Sequence, residues 1–282
     1  MSKSDELLYY ATQGRCTEPG EYASLFDGLS GDVSSLCRVI QGLMIHVLWA
    51  NAYGVTLTDA RRSEMAIRPV SAQLEYLIGR DARPLGVARD PHARMLGTCR
   101  DFSLMLCGLL RHRGIPARVR CGFATYFQAG RYEDHWIVQY WRSDERRWVM
   151  VDPQLDTMQR DQLHIAFDTV DLPEGHFLPA GRAWQMCRDG QADPETFGML
   201  GVPGRWFIRG NVVRDLLTLN KLEMSPWDTW RVATGDDRSL SDSDLARCDR
   251  IAAATRGLDV DVVAVRTIYD TVEDLHLPPW LR

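Results

Sequence analysis

Three residue types that can together perform acyl transfer, a thiol, an imidazole and a carboxylate, stand at Cys99, His135 and Asp152. A sulfur nucleophile needs a lowered pKa, a base to take its proton, and donors for the oxyanion that forms on attack. Cys99 follows Thr98, a good N-cap residue, and Asp101 stands three places after the threonine as the second half of a capping box, with Asp in place of the usual Glu. The thiol therefore falls in the first turn of a helix. There the positive end of the dipole and unpaired N–H groups favour thiolate, and such sites bring a thiol from about 8.5 to roughly 3.5–7.5. Arg100 adds positive potential and Asp101 opposes it. The Cys99 N–H is one candidate oxyanion donor, and Trp49, Asn51, Tyr53 and Gln73 are open choices for a second. His135 opens a strand after the polar Arg131-Tyr132-Glu133-Asp134, and Asp152 ends the next strand before Pro153. A carboxylate so placed holds one ring nitrogen protonated and leaves the other to act on sulfur. Asp156 competes for that role, and the plainer reading of Asp152 is a turn cap.

The elements that must position these groups are legible in the periodicity. Apolar residues from Val33 to Leu48 step by three and four, which predicts one amphipathic helix from Asp32 to about Tyr53, stopped by Gly54. Residues 58–79 read as helical with a break near Pro69, and a loop follows at Arg83–Gly86 and Asp90-Pro91. Phe102, Met105, Leu106, Leu109 and Leu110 share one helical face, with Gly114 as C-cap, so the helix that carries Cys99 ends near Arg113. Arg118–Phe123 alternates arginine with apolar residues as a half-buried strand does. His135–Trp141 and Arg147–Asp152 form a hairpin; if its turn centres on Ser143-Asp144, position 135 lies opposite 152, with Cβ atoms about 4.5–5.5 Å apart. Beyond Asp156 the chain reads as mostly helical. Pro179 opens one helix and Gly190 closes it, Asp193-Pro194 and Ser225-Pro226 mark helix starts, and Asn211–Leu222, Ser241–Arg256 and Asp259–Asp274 are longer amphipathic helices packed on the core.

Four segments in order carry a family resemblance: Gly97-Thr98-Cys99-Arg100-Asp101-Phe102, Arg113-Gly114-Ile115-Pro116-Ala117-Arg118, Asp134-His135-Trp136 and Trp148-Val149-Met150-Val151-Asp152-Pro153. Together, over about residues 85–157, they resemble the transglutaminase-like superfamily, and within it the bacterial branch known only as transglutaminase-domain proteins. The resemblance implies an α+β fold with a papain-like core, a central helix packed on an antiparallel sheet, and a Cys-His-Asp triad at Cys99, His135 and Asp152. It implies attack on an amide or ester carbonyl through a Cys99 thioester, with an amine or water as acceptor. The substrate is then a peptide, protein or small-molecule carboxamide or ester. One departure stands out: many relatives carry an aromatic two places after the histidine, whereas here Trp136 is adjacent and Val138 holds that place. Substrate-side details are therefore not transferred.

Composition narrows the alternatives. The chain has 282 residues, 45% apolar, with a net charge of −5, enough for a full core in a single domain of residues 1–282: helical 1–84, a catalytic core at 85–157, helical 158–282. Its seven cysteines include no C-x-x-C pair, and the other histidines (46, 92, 112, 164, 176 and 276) show no ligand spacing, so no cofactor or metal is expected. No D-x-[DN]-x-[DN]-G loop occurs; Asp236-Asp237 and Asp242–Asp244 read as solvated turns and a helix cap. Without a basic start ahead of an apolar run, and without a membrane-length apolar stretch, a cytoplasmic location with free thiols is expected. Cys107 and Cys121 fall on buried faces. Residues 80–120 hold nine arginines against three aspartates, read either as a basic rim for an acidic substrate or as a solvated exterior. Nucleic-acid binding is not expected, for want of interleaved exposed aromatics. A hydrolase of the peptidase or amidase type and a non-catalytic binding module remain the alternatives. The oligomeric state stays open.

Overall fold

A computed structural model describes residues 2–29, 31–229 and 240–278. Helix accounts for 49% of it and strand for 14%, the mixed composition expected of an α+β chain. The chain divides into two compact units: Lys3–Arg118 with Ile137–Leu172, and Val119–Trp136 with Pro173–Arg282 and Met1–Ser2. No helix among the described residues is long and apolar enough to cross a membrane.

The first unit begins with α1 (Lys3–Ala11), α2 (Val33–Leu43), β1 (Met44–His46), a 3-10 turn over Val47–Tyr53, α3 (Asp59–Arg62), α4 (Val70–Arg80), β2 (Met95–Gly97) and α5 (Cys99–His112). The single helix expected over 32–53 is thus corrected to three pieces. Asp32, where the helix was expected to begin, caps α2, but Met44 turns extended (φ −127°, ψ 156°) and Met44–His46 pair in parallel with Met95–Gly97. β-branched Ile45 favours extended backbone, and the partner strand outcompetes helix propensity. Gly54 ends the 3-10 turn at φ +73°. The helical reading of 58–79 holds, with Pro69 as the N-cap of α4. In the loop after α4, the buried Arg89 guanidinium donates to the carbonyls of Asp81, Arg83, Pro84 and Val87 and so fixes its course.

β3 (Ala117–Ala124) and β4 (Tyr132–Arg142) each pass from one unit into the other. Within the first unit, β4 pairs antiparallel with β5 (Arg147–Val151), and α6 (Thr157–Gln162) follows. The hairpin register differs from the conditional one: Arg142 faces Arg147 and Val138 faces Val151, because the turn takes four residues, Ser143–Arg146, with Arg146 at φ +52°. The pairing is displaced by two, so 135 is not the position opposite 152; an even displacement leaves the alternation of faces intact.

The second unit holds the five strands in the order β6-β3-β4-β7-β8, with β6 (Phe177–Pro179), β7 (Phe197–Met199) and β8 (Val202–Pro203). β7 runs parallel to β4, and the β3–β6 and β7–β8 pairs are antiparallel. Its helices are α7 (Ala180–Arg188), α8 (Arg205–Leu219), α9 (Asp242–Thr255) and α10 (Val262–Thr271), the first three packed on one another. Pro179 and Gly190 bound α7 as read; α9 starts where expected, with Ser241 as its N-cap and Asp244, from the segment read as a cap, completing the capping box. Two readings change. α8 begins six residues earlier than expected and is buried almost all round rather than amphipathic. Ser225-Pro226 makes only a turn, with the Ser225 N–H donating to Asp228 Oδ2 at 2.9 Å. Asp236 and Asp237 lie outside the described residues.

β3 is buried at every position, so the half-buried reading is corrected. Arg118 and Arg120 are both fully enclosed. In the first unit, the Arg118 guanidinium lies 3.9 Å from the Trp148 ring centroid, donates to Gln139 Oε1 at 3.0 Å and meets Glu6 at 3.3 Å. In the second, Arg120 grips Asp215 of α8 with two 2.9 Å hydrogen bonds and donates to the carbonyls of Thr255 and Gly257. Breaking such a buried pair costs about 3–5 kcal/mol. Asp215→Ala, which strips Arg120 of its counter-charge, is expected to lower unfolding stability by that amount in urea titrations, whereas Asp59→Ala, on the exposed first turn of α3, stays within about 0.5 kcal/mol.

Candidate functional site

The parallel β1–β2 pair delivers the chain to the start of α5: His46 stands in register with Gly97, and Leu96 N–H donates to the buried Glu64 at 2.7 Å. Thr98 is extended (φ −113°, ψ 171°), and Cys99 is the first helical residue, as its spacing predicted. Asp101 completes the box: its Oδ2 accepts the Thr98 N–H at 2.8 Å and the Thr98 hydroxyl at 3.0 Å. Its Oδ1 accepts from Gln73 Nε2 at 3.1 Å and from Arg100 Nη1 at 2.9 Å. Gly97 packs closely here: a Cβ on it would meet the Asp101 Cβ at 3.1 Å and press on the capping side chain. At the other end of α5, Gly114 takes the left-handed conformation (φ +69°) that its C-cap role calls for.

Arg100 is buried, and its guanidinium donates to Asp101 and to the Arg68 carbonyl, while the helix terminus supplies positive potential at Cys99. Cys99 itself is 2% exposed. Of the nine arginines in 80–120, Arg89, Arg100, Arg111, Arg118 and Arg120 are buried, which sets aside both the basic-rim and the solvated-exterior readings for them.

Asp152 is enclosed in the same unit as Cys99. Its N–H donates to the Thr169 carbonyl, and its Oδ1 accepts the Gln154 N–H at 2.9 Å, the turn before Pro153 anticipated as the plainer reading. Asp156 is otherwise engaged: it caps α6 through the Gln159 N–H and accepts the Tyr53 hydroxyl at 2.5 Å. Burial and Asp156 together push the Tyr53 phenol above its ordinary value. Tyr53 thus spends its proton on Asp156. Among the other oxyanion candidates Gln73 is buried and committed to Asp101, Trp49 is half-buried and Asn51 is exposed.

His135 belongs to the second unit and is 2% exposed, its ring meeting Phe127 edge-on at 4.9 Å and Tyr126 at 5.9 Å. These two aromatics were not singled out from the sequence, because the segment between β3 and β4 has no period to read. Gln154, in the short connection between β5 and α6, is buried and bonded to Gln159, a contact that no local pattern marks.

None of the seven cysteines is in a disulfide. Cys107 and Cys121 are fully buried, as their faces predicted. Burial pushes the Cys187 thiol up to about 11 and that of Cys248 to about 12, and it raises Cys37 further with help from the Asp152 carboxylate. Among the described residues no group of three or more His, Cys, Asp or Glu side chains could hold a metal ion.

Residues 55–153 match the family model described as the transglutaminase-like superfamily. That span includes Cys99, His135 and Asp152, and it begins about thirty residues before the segment recognisable by eye, taking in α3 and α4. The resemblance is thereby borne out over these residues, in a superfamily whose members are commonly enzymes working by cysteine-based acyl transfer or hydrolysis. No curated protein and no solved structure matches the chain.

Two outcomes follow for this site. Iodoacetamide at pH 7 is expected to modify Cys99 faster than Cys37, Cys187 or Cys248, whose raised pKa values leave almost no thiolate until the pH climbs past 10; peptide mapping reads the ratio, and equal rates would contradict an activated sulfur. Asp101→Ala removes the cap and the charge beside Arg100, so a stability loss of about 3–5 kcal/mol is expected by chemical denaturation.

Proposed function

We propose that the chain is a thiol acyl-transfer enzyme with Cys99 as nucleophile, His135 as base and Asp152 as the carboxylate that orients the imidazole. The observation that carries this reading is the position of Cys99: first residue of a capped helix, inside the span that matches the superfamily model. On this reading α5 is the central helix of a papain-like core. The thiolate adds to an amide or ester carbonyl carbon, and helix-terminal N–H groups, Cys99's own among them, face the oxyanion. Collapse of the tetrahedral species breaks the bond to the leaving amine or alcohol, which takes its proton from the imidazolium. The thioester then passes its acyl group to an amine or to water, the imidazole accepting the acceptor's proton, and the thiol is restored. Carboxamide or ester substrates are implied, with no cofactor and no nucleic acid, in the reducing cytoplasm that free thiols suit.

A second reading, a non-catalytic module on the same fold, draws on the 2% exposure of Cys99. Acid-quenched incubation with a mixed carboxamide and ester library separates them. Intact mass is expected to show an acyl adduct that maps to Cys99 and is lost in Cys99→Ala. His135→Ala is expected to slow turnover by about 10²–10⁴. An unlabelled Cys99 across the library, or an adduct that survives Cys99→Ala, would overturn the enzyme reading. Adding an amine distinguishes transfer, seen as a new amide, from hydrolysis, seen as the acid.

A further inference from the structure

In the second unit a cavity of about 310 Å³ opens beside β7, β8 and α8. Its apolar wall includes Leu200, Val202, Trp206 and Trp227, and three of these are large side chains left open to solvent: Leu200 at 67%, Val202 at 39% and Trp227 at 56%. Its polar wall is unlike the rest. Asp134 and Arg214 both line it, and both are more than nine-tenths enclosed. They form no ion pair; Asn211 stands between them, donating to Asp134 Oδ1 at 2.7 Å and accepting from Arg214 at 3.3 Å. Arg214 also donates to the Pro226 carbonyl at 2.8 Å, yet its buried Nε–H has no acceptor among the described residues. A buried donor without an acceptor is a cost the fold bears until something fills the place. Burial also raises the Asp134 carboxyl and lowers the Arg214 guanidinium from their ordinary values.

From this juxtaposition we propose that the cavity is a binding site for a free hydrophobic α-amino acid, its carboxylate received by Arg214, its ammonium by Asp134 and its side chain by the tryptophan-lined wall. The head group must carry both signs. A simple anion would face Asp134, a simple cation would face Arg214, and a purely apolar ligand would leave the buried Arg214 Nε–H still without an acceptor. The volume, at the lower end of the range for small-molecule pockets, suits one side chain and its head group rather than a peptide. Successive residues of a strand point to opposite faces, so Asp134 directs its side chain away from the face that carries His135. The site is therefore separate from the proposed thiol chemistry and does not rest on it.

Isothermal titration of the full chain with L-phenylalanine and L-leucine tests this, using Cys99→Ala protein so that no acyl adduct contributes heat. Saturable binding is expected. 3-Phenylpropanoate, which lacks the ammonium, and phenethylamine, which lacks the carboxylate, are each expected to bind about tenfold more weakly or worse. Asp134→Asn should lose about tenfold for phenylalanine, and Trp227→Ala, on the exposed rim, should weaken both amino acids without altering the circular dichroism. The proposal is overturned if neither amino acid saturates by about 10 mM, a level at which a Kd of about 1 mM would be evident. It is equally overturned if the two analogues bind as well as phenylalanine, or if Trp227→Ala binds like the parent.

Discussion

One carboxylate sets the start of the helix that carries the thiol. Asp101 accepts from the Thr98 backbone and hydroxyl through one oxygen and from Gln73 and Arg100 through the other, so one oxygen serves the cap and the other holds its surroundings. The first part fixes where α5 begins. The second ties that beginning to α4, and through Arg100 to the Arg68 carbonyl. Shifting the helix start by one residue would turn Cys99 by about 100° around the axis, given 3.6 residues per turn. The cap is therefore the constraint behind the thiol's direction. Gly97 extends it one residue back, because a Cβ there would crowd the capping side chain at 3.1 Å.

The fold places an uncommon share of its charge inside. Arg118 and Arg120 lie two apart on β3, each in a different unit, and each has recruited its own answer: Glu6, Gln139 and the Trp148 face for one, Asp215 and two helix-end carbonyls for the other. A guanidinium suits such places because it stacks, forks and keeps its charge. α8 obeys the same logic. Its buried Asp215 and Asn211 are not errors in an apolar helix but the acceptor and the bridge that interior arginines require.

What was legible in the sequence was local. The capping box at Thr98–Asp101, the Gly114 stop, the Ser241 cap and the proline at the start of α4 each depend on residues within a few positions of one another. What was not legible depended on partners far along the chain. The apolar period over 33–48 could not announce that residues 44–46 would find residues 95–97. Alternation on β3 could not show that its arginines face buried acids rather than water. The hairpin sum failed by two because the loop closed with four residues instead of two, a choice that a left-handed Arg146 permits and composition does not advertise. The candidate site divides in the same way: the helix-borne cysteine follows from its neighbours, while Phe127, Tyr126 and Gln154 emerge only once the strands are in place.

The preference for arginine has a side effect on the surface. Only two lysines occur in the chain. Lys221 is 9% exposed in a left-handed position after α8, and Lys3 is held by Glu6 at 3.0 Å and lies over the Trp141 ring. An amine-directed label therefore meets one exposed lysine among the described residues, Lys3, while almost all of the positive charge is carried by guanidiniums that such a label passes over.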